Sequence, residues 1–323
     1  MKVLVTGAAG FIGSHLCEGL NAQGHEVIGI DSLDPYYAPL FKRHTLRVLT
    51  NKGIDVVVAD LLDADLDCLL KKVDAVFHLA AQPGNSARIP FNNYLRNNIV
   101  ATQTLLESAM RSDSLKCFIN ASTSSVYGFY ATSDESVPPK PVSVYGVTKL
   151  AAEQLVLSKQ RDEGFPACSV RLFSVYGERE RPDKLYPRLI RAIANDTEFT
   201  LFEGSEQHQR SFTYVGDIVA GLINTLDRFD MACGEIFNLG TDQSITTGEG
   251  IAIVEKLTGK KARKKMLPKR PGDQLSTKAD IGKARQLLNY QPKTLPQEGL
   301  ERFVHWYQSE IQGKVHYGEE IRV

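Results

Sequence analysis

Cysteine is sparse and dispersed in this chain of 323 residues. The five that occur, Cys17, Cys68, Cys117, Cys168 and Cys233, stand singly, with no CxxC pair and an odd total. That excludes a disulfide framework, points to a reducing compartment and leaves no metal-ligating set to expect. Neither sign of charge is in surplus, with 38 basic and 38 acidic residues. No basic field therefore exists to hold nucleic acid or an anionic membrane. Long apolar runs are missing, and the N-terminus passes directly into a strand pattern. Neither a membrane span nor a secretory leader is expected, and the cytoplasm is the expected compartment. Internal repeats and low-complexity segments are absent too. What is present is 42% hydrophobic and 24% charged, in a chain long enough for one large core or two lobes.

Strands and helices alternate through the first half. "KVLVTG", "EVIGID", "IDVVVADL", "AVFHLAA", "KCFINAS" and "CSVRLFSV" read as strands. "FIGSHLCEGLNAQG", "NNYLRNNIVATQTLLESAMR" and "VSVYGVTKLAAEQLVLSKQRDEG" carry apolar residues at helical spacing. Continuous apolar strands separated by helices predict an α/β fold, a doubly wound parallel sheet covered on both faces. After "VYGERERPD" the regularity weakens. A helix in "YPRLIRAIAN", a strand in "FTLFEG" and a helix in "FTYVGDIVAGLINTL" follow, then "EIFNLG", a strand able to return to the sheet. The remainder reads as mostly helical. The expected division is a dinucleotide-binding domain over 1–177 plus about 213–242, and a smaller mixed lobe over about 178–212 plus 243–323.

Gly7, Gly10 and Gly13 fall at the first strand-to-helix turn. Glycines there permit a tight turn, close approach of backbone to a pyrophosphate and close helix–sheet packing, and the helix N-terminus supplies N–H donors. The GxxGxxG spacing alone also suits a purely steric turn. Asp31 weighs against that, because it ends the second strand where a carboxylate accepts hydrogen bonds from an adenosine ribose. It repels a 2′-phosphate and no arginine follows it immediately, so NAD is expected over NADP. Asp60 closes the third strand, as an adenine contact or as a cap of the next helix.

Tyr145 and Lys149 open a long helix at positions i and i+4, so phenol and ammonium share a face. A free phenol titrates about three units too high for a base at neutrality, roughly 4 kcal/mol. One unit charge at about 4 Å offsets a similar ~4 kcal/mol at an effective dielectric near 20. Lys149 together with a nicotinamide cation is therefore expected to make Tyr145 a base. Ser122, Thr123, Ser124 and Ser125 end the fifth strand, where a doubly wound sheet places its ligand crevice; a Ser-rich turn capping itself is the alternative.

Together with "HLAAQ" at 78–82, "STSSVYG" at 122–128 and "RPGD" at 270–273, these residues resemble the extended short-chain dehydrogenase/reductase family. Within it they are most similar to the nucleotide-sugar 4-epimerases, particularly the UDP-glucuronate 4-epimerases. The resemblance spans essentially the whole chain. It implies a Rossmann domain with tightly held NAD, a UDP-sugar in the C-terminal lobe, a 4-keto intermediate and a homodimer. By position it implies cofactor contacts from Gly7, Gly10, Phe11, Ile12, Gly13, Asp31, Ser32, Asp60, Leu61, Leu79, Ala80, Ala81, Gln82, Asn98, Ser122, Tyr145 and Lys149. It implies Thr123 on the sugar O4, Tyr145 as base and Lys149 on the nicotinamide ribose. Substrate contacts are implied for Pro83, Gly84, Thr123, Ser124, Ser125, Ser174, Arg181, Arg188, Thr200, Phe202, Arg210, Arg270 and Asp273. Both positions after Thr123 are serine, where sugar-nucleotide dehydratases carry Asp-Glu. Arg181 beside small hydroxyl side chains fits a C6 carboxylate, or else pairs with Glu178 or Glu180. UDP-galactose or UDP-N-acetylhexosamine epimerisation, and a non-catalytic dinucleotide sensor, are the alternatives.

Overall fold

The computed structural model describes residues 1–36, 39–84, 89–269 and 276–313. Seven strands form its main sheet: β1 (Lys2–Thr6), β2 (Glu26–Asp31), β3 (Asp55–Val58), β4 (Ala75–His78), β5 (Cys117–Thr123), β6 (Ala167–Leu172) and β7 (Ile236–Leu239). Their order is β7-β6-β5-β4-β1-β2-β3, and every neighbouring pair is parallel. Period-2 alternation sends successive residues to opposite faces. Val3, Val5 and Phe77 therefore join one buried cluster, while Leu4, Val76 and Phe118 join another with Leu105, Leu106 and Val156. Two buried faces are why the strands read as unbroken apolar runs.

The chain winds outward from β1 in both directions, to β2 and β3 on one side and through β4 to β7 on the other. The connections diverge between β1 and β4, leaving a crevice beyond the strand carboxyl ends. Of the helices α1 (Phe11–Ala22), α2 (Ala101–Met110), α3 (Val144–Glu163), α4 (Leu185–Ala194) and α5 (Val215–Asp227), the first three contribute residues to it. The Ser143 hydroxyl accepts from the Gly146 N–H at 3.1 Å to start α3, and Gly164 ends it in the left-handed region.

β7 lies within the 213–242 stretch and pairs with β6. A second sheet gathers short strands at Tyr130–Ala131, Gln209–Arg210, Ile245–Thr246 and Ser276–Thr277. The segment expected to be mostly helical contains a strand, Arg263–Leu267, parallel to Glu198–Phe202. Four of its five residues are exposed, so no buried alternation marked it in the sequence. Among the described residues, no helix is long and apolar enough to cross a membrane.

Candidate active site

A cavity of about 550 Å³ opens over the ends of β1, β2, β4 and β5. Its lining includes Gly7, Gly10, Phe11, Ile12, Gly13, Asp31, Ser32, Asp60, Leu61, Leu79, Ala80, Ala81 and Gln82. Gly7 has φ +72°, and a Cβ there would sit 2.9 Å from the Ala80 nitrogen. At Gly13 a Cβ would lie 2.2 Å from the Gly7 carbonyl oxygen. The turn thus folds flat against the sheet. Gly10 caps α1 with no side chain, and no acid stands in the first turn, so the orphan N–H groups of the helix N-terminus face the cavity uncompensated. This bare cradle fits an anionic linkage such as a pyrophosphate.

Asp31 is buried at the end of β2. Its Oδ2 accepts from the Ala9 N–H at 3.1 Å and its Oδ1 from the Leu33 N–H at 2.8 Å. Lys42, from the helix Pro39–Asn51, reaches Asp31 Oδ1 at 3.5 Å. The sequence reading missed this lysine because its helix mixes Leu40, Phe41 and Leu49 with Lys42, Arg43 and Arg47, which blurs the apolar stripe. Asp60 accepts from Arg96 at 2.8 Å and from the Leu62 N–H at 2.9 Å. Burial pushes its carboxyl up, but these bonds outweigh burial and hold it below the ordinary carboxylate range.

Behind the cavity a closed polar network fixes the loop after β4. The Thr6 hydroxyl accepts from the Leu79 and Ala80 N–H groups at 3.1 and 3.0 Å and lies 2.9 Å from His78 Nδ1. His78 Nε2 lies 2.9 Å from the Thr102 hydroxyl, which donates to the Asn98 carbonyl at 2.7 Å. The only consistent proton arrangement puts the hydrogen of His78 on Nε2. Burial drives its pKa down to about 3, so the ring stays neutral. Asn98, in the π-helical turn Leu95–Val100, accepts from the Gln82 N–H at 2.6 Å and donates to the Gln82 carbonyl at 3.2 Å. It also donates to the Thr148 hydroxyl on α3 at 3.0 Å. Asn98 sits beneath the cavity wall and holds Gln82 within it.

Ser122, Thr123, Ser124, Ser125, Tyr145 and Lys149 line the middle of the cavity. The Ser122 hydroxyl is buried without a hydrogen-bond partner. Thr123 accepts from the Ser125 N–H at 3.2 Å. Burial raises the Tyr145 phenol above its ordinary value, against the Thr123 hydroxyl and the charge of Arg181, which lower it. Lys149 is depressed by burial to about 8, with Glu153 one turn further along α3 opposing the drop. Glu153 is clamped from β6 by Arg171, Nη2 to Oε1 at 2.7 Å and Nε to Oε2 at 3.0 Å, both side chains buried.

Pro83, Gly84, Ser174, Arg181 and Arg210 line the far end. The segment after β6 is pinned on alternate sides. Glu178 accepts from the Tyr214 hydroxyl at 2.9 Å, and Arg179 forks onto Glu18 of α1 at 2.8 and 3.1 Å. Arg181 donates to Asp183 at 3.2 Å and stacks over the Tyr36 ring at 5.2 Å, so Asp183, and neither Glu178 nor Glu180, is its carboxylate. Arg181 Nη1 is buried without a hydrogen-bond partner among the described residues. Glu180, Lys184 and Tyr36 join this wall; the sequence reading had assigned none of them. Arg188 lies outside it, donating to the Thr200 carbonyl at 3.1 Å and also to the Thr200 hydroxyl. Thr200 and Phe202, on the strand Glu198–Phe202, likewise do not line the cavity. Arg270 and Asp273 lie outside the described residues.

A doubly wound sheet with an uncapped glycine turn, a strand-end carboxylate and a tyrosine–lysine pair in one cavity defines a dinucleotide-binding protein of redox type. The NAD dependent epimerase/dehydratase family model matches residues 3–240, and the chain belongs to that family. An uncharacterized UDP-glucose epimerase of Bacillus subtilis is 41% identical over 319 residues, 97% of this chain and 100% of that protein. UDP-glucuronate 4-epimerase 3 of Arabidopsis thaliana is 34% identical, over 95% of this chain and 76% of its own. The crystal structure of UDP-glucuronic acid 4-epimerase from Bacillus cereus, in complex with UDP-glucuronic acid and NAD, superposes with a TM-score of 0.90 at 39% identity, covering 95% of this chain and 99% of that one.

Proposed function

We propose that this chain is an NAD-dependent UDP-sugar 4-epimerase whose preferred substrate pair is UDP-glucuronate and UDP-galacturonate. Relatives and solved neighbours with UDP-glucuronate in their names support the reading. The observation that carries it is Arg181, which lines the cavity that also holds Thr123 and Tyr145 and whose buried Nη1 has no hydrogen-bond partner among the described residues. An unsatisfied buried donor is costly, and a sugar carboxylate would satisfy it with a charge-assisted bond.

NAD would supply a reversible hydride acceptor for the sugar C4 and, in its oxidised form, a positive charge. The α1 N-terminus would hold the pyrophosphate, Asp31 the adenosine ribose and Lys149 the nicotinamide ribose. Tyr145 removes the proton from the O4 hydroxyl, oriented by Thr123, and returns it after the 4-keto sugar has turned over in the site. With a uronic acid that ketone is a β-keto acid prone to lose CO₂. Arg181, Ser124, Ser125 and Ser174 would fix the carboxylate so that the C–C bond stays out of line with the ketone π system. The serines after Thr123 supply no carboxylic acid there for elimination. A homodimer is part of this reading, supported by exposed Leu95 and Val100 before α2 and exposed Val144 and Val147 at the start of α3.

The purified protein is expected to release NAD on denaturation, and NADP as the dominant dinucleotide would refute the role of Asp31. Arg181→Ala is expected to lower the ratio of uronate to hexose epimerisation about ten- to a hundredfold, the worth of one charge-assisted bond. The ratio matters, because Arg181 also acts on Tyr145 and that loss is common to both sugars. A wild type that prefers UDP-glucose, with a ratio unmoved by the substitution, would leave the hexose reading standing.

A further inference from the structure

Arg181 does not stand alone at the far wall of the cavity. Glu180, only 8% exposed, lines the same wall, and its Oε2 is buried without a hydrogen-bond partner. Its own backbone is fixed by the Glu180 N–H bond to the Gly177 carbonyl at 3.1 Å, so the side chain is held at the wall. Two residues of the cavity lining thus carry buried polar atoms of opposite kind with no hydrogen-bond partner among the described residues, the Arg181 Nη1 donor and the Glu180 Oε2; Asp183 Oδ1, outside the lining, is a third such atom. A carboxylate ligand can satisfy both only if the carboxyl carries a proton to donate.

We propose that Glu180 is a specificity-determining residue whose proton selects the charge of the sugar C6 group: protonated, it donates to a uronate beside Arg181; ionised, it excludes the uronate and leaves room for a neutral hexose. This rests on the reading of Arg181 as the carboxylate anchor. Formal charge supports it. The charges acting directly on Glu180, those of Arg181, Lys184 and Asp183, leave one net positive charge beside it when it is neutral and none when it ionises.

The groups acting on Glu180 agree. Burial pushes its carboxyl up to about 8, against Lys184 and Arg181, which lower it, while Asp183 raises it. From α4, Tyr186 faces it as a neutral phenol, its own pKa raised by burial. Across the cavity Asp34 accepts from the Tyr36 N–H at 2.8 Å, and Glu178 is turned away to Tyr214. Burial therefore favours the neutral carboxyl in the unliganded protein, and a uronate that binds once the carboxyl has ionised must bring a proton in from solvent.

Isothermal titration calorimetry on the NAD-loaded enzyme, in two buffers of different ionisation enthalpy, counts that proton. Interconversion of the two uronates does not disturb the count, since both carry the same carboxylate. At pH 9, UDP-glucuronate is expected to take up close to one proton per site more than UDP-glucose does. Lys149 titrates in the same range, but its contribution is shared by both ligands and drops out of the difference. Glu180→Gln, whose amide donates without titrating, should abolish the difference and keep the KM for UDP-glucuronate flat with pH. In the wild type that KM should rise about tenfold per unit above the titration of Glu180. Equal uptake with both ligands, or a difference persisting in Glu180→Gln, would overturn the proposal. Loss of uronate binding in Arg181→Ala without any proton difference would sink Glu180 alone. Uronate binding indifferent to Arg181→Ala would sink the reading beneath it.

Discussion

Tyr145→Phe is expected to turn over substrate at least ~10²-fold more slowly than the wild type, the usual worth of a positioned general base. The phenyl ring fills the same space and Lys149 is untouched, so NAD should remain bound. The loss is expected to be chemical because none of Thr123, Ser122, Ser124, Ser125 and Lys149, which line the cavity with it, can replace the phenol at O4. Thr123 and the neighbouring serines have hydroxyls that are far too weakly acidic to ionise, and Lys149, depressed by burial to about 8, still carries its proton at neutral pH.

The phenol itself arrives poorly prepared. Burial outweighs Thr123 and Arg181 and leaves its pKa above the ordinary value. From sequence, Lys149 was expected to help lower it. In the structure Arg181 also acts on the phenol and lowers it, and Glu153 acts on Lys149 and raises it. Removing Arg181 should therefore raise the phenol pKa and move the acid limb of the pH–rate profile to higher pH. Near-normal turnover of Tyr145→Phe would mean that the base lies elsewhere.

Why some of this was legible and some was not follows from how local each signal is. The buried strands announce themselves as unbroken apolar runs, and the glycine turn, Asp31 and the Tyr145–Lys149 pair are fixed by spacings of a few residues. Lys42 and Glu180 become meaningful only through tertiary placement. Lys42 meets Asp31 because one helix crosses the end of β2, and Glu180 is a surface-like residue in a charged run until the pinning of Glu178 and Arg179 turns it inward. The strand Arg263–Leu267 is an exposed partner for Glu198–Phe202, and such an edge needs no hydrophobic alternation. Arg171 sits in the apolar strand β6 because Glu153, eighteen residues earlier on α3, pairs with it, a partner that no local spacing reveals.

That pair supports the second large effect. Glu153→Ala is expected to destabilise the fold by about 3–5 kcal/mol, because it strands the Arg171 guanidinium in the core. Arg171 is 1% exposed, and its remaining partner, the Tyr127 hydroxyl at 2.9 Å, is neutral and already donates to Asn238 at 2.8 Å. Thermal unfolding should register a drop in Tm on the order of 5–10 °C. Replacing both partners at once, as Glu153→Leu with Arg171→Met, should restore most of the loss, since the penalty lies in the unpaired charge and not in the absence of the pair. Function separates the two roles of Glu153. Its charge holds Lys149 up against burial, so removing it lowers the ammonium pKa further. The alkaline limb of the pH–rate profile should then move to lower pH even in the restabilised double variant. A double variant with wild-type Tm and an unmoved alkaline limb would make Glu153 a scaffold residue only. Recovery of Tm with a shifted limb would make it a positioning residue for Lys149 as well.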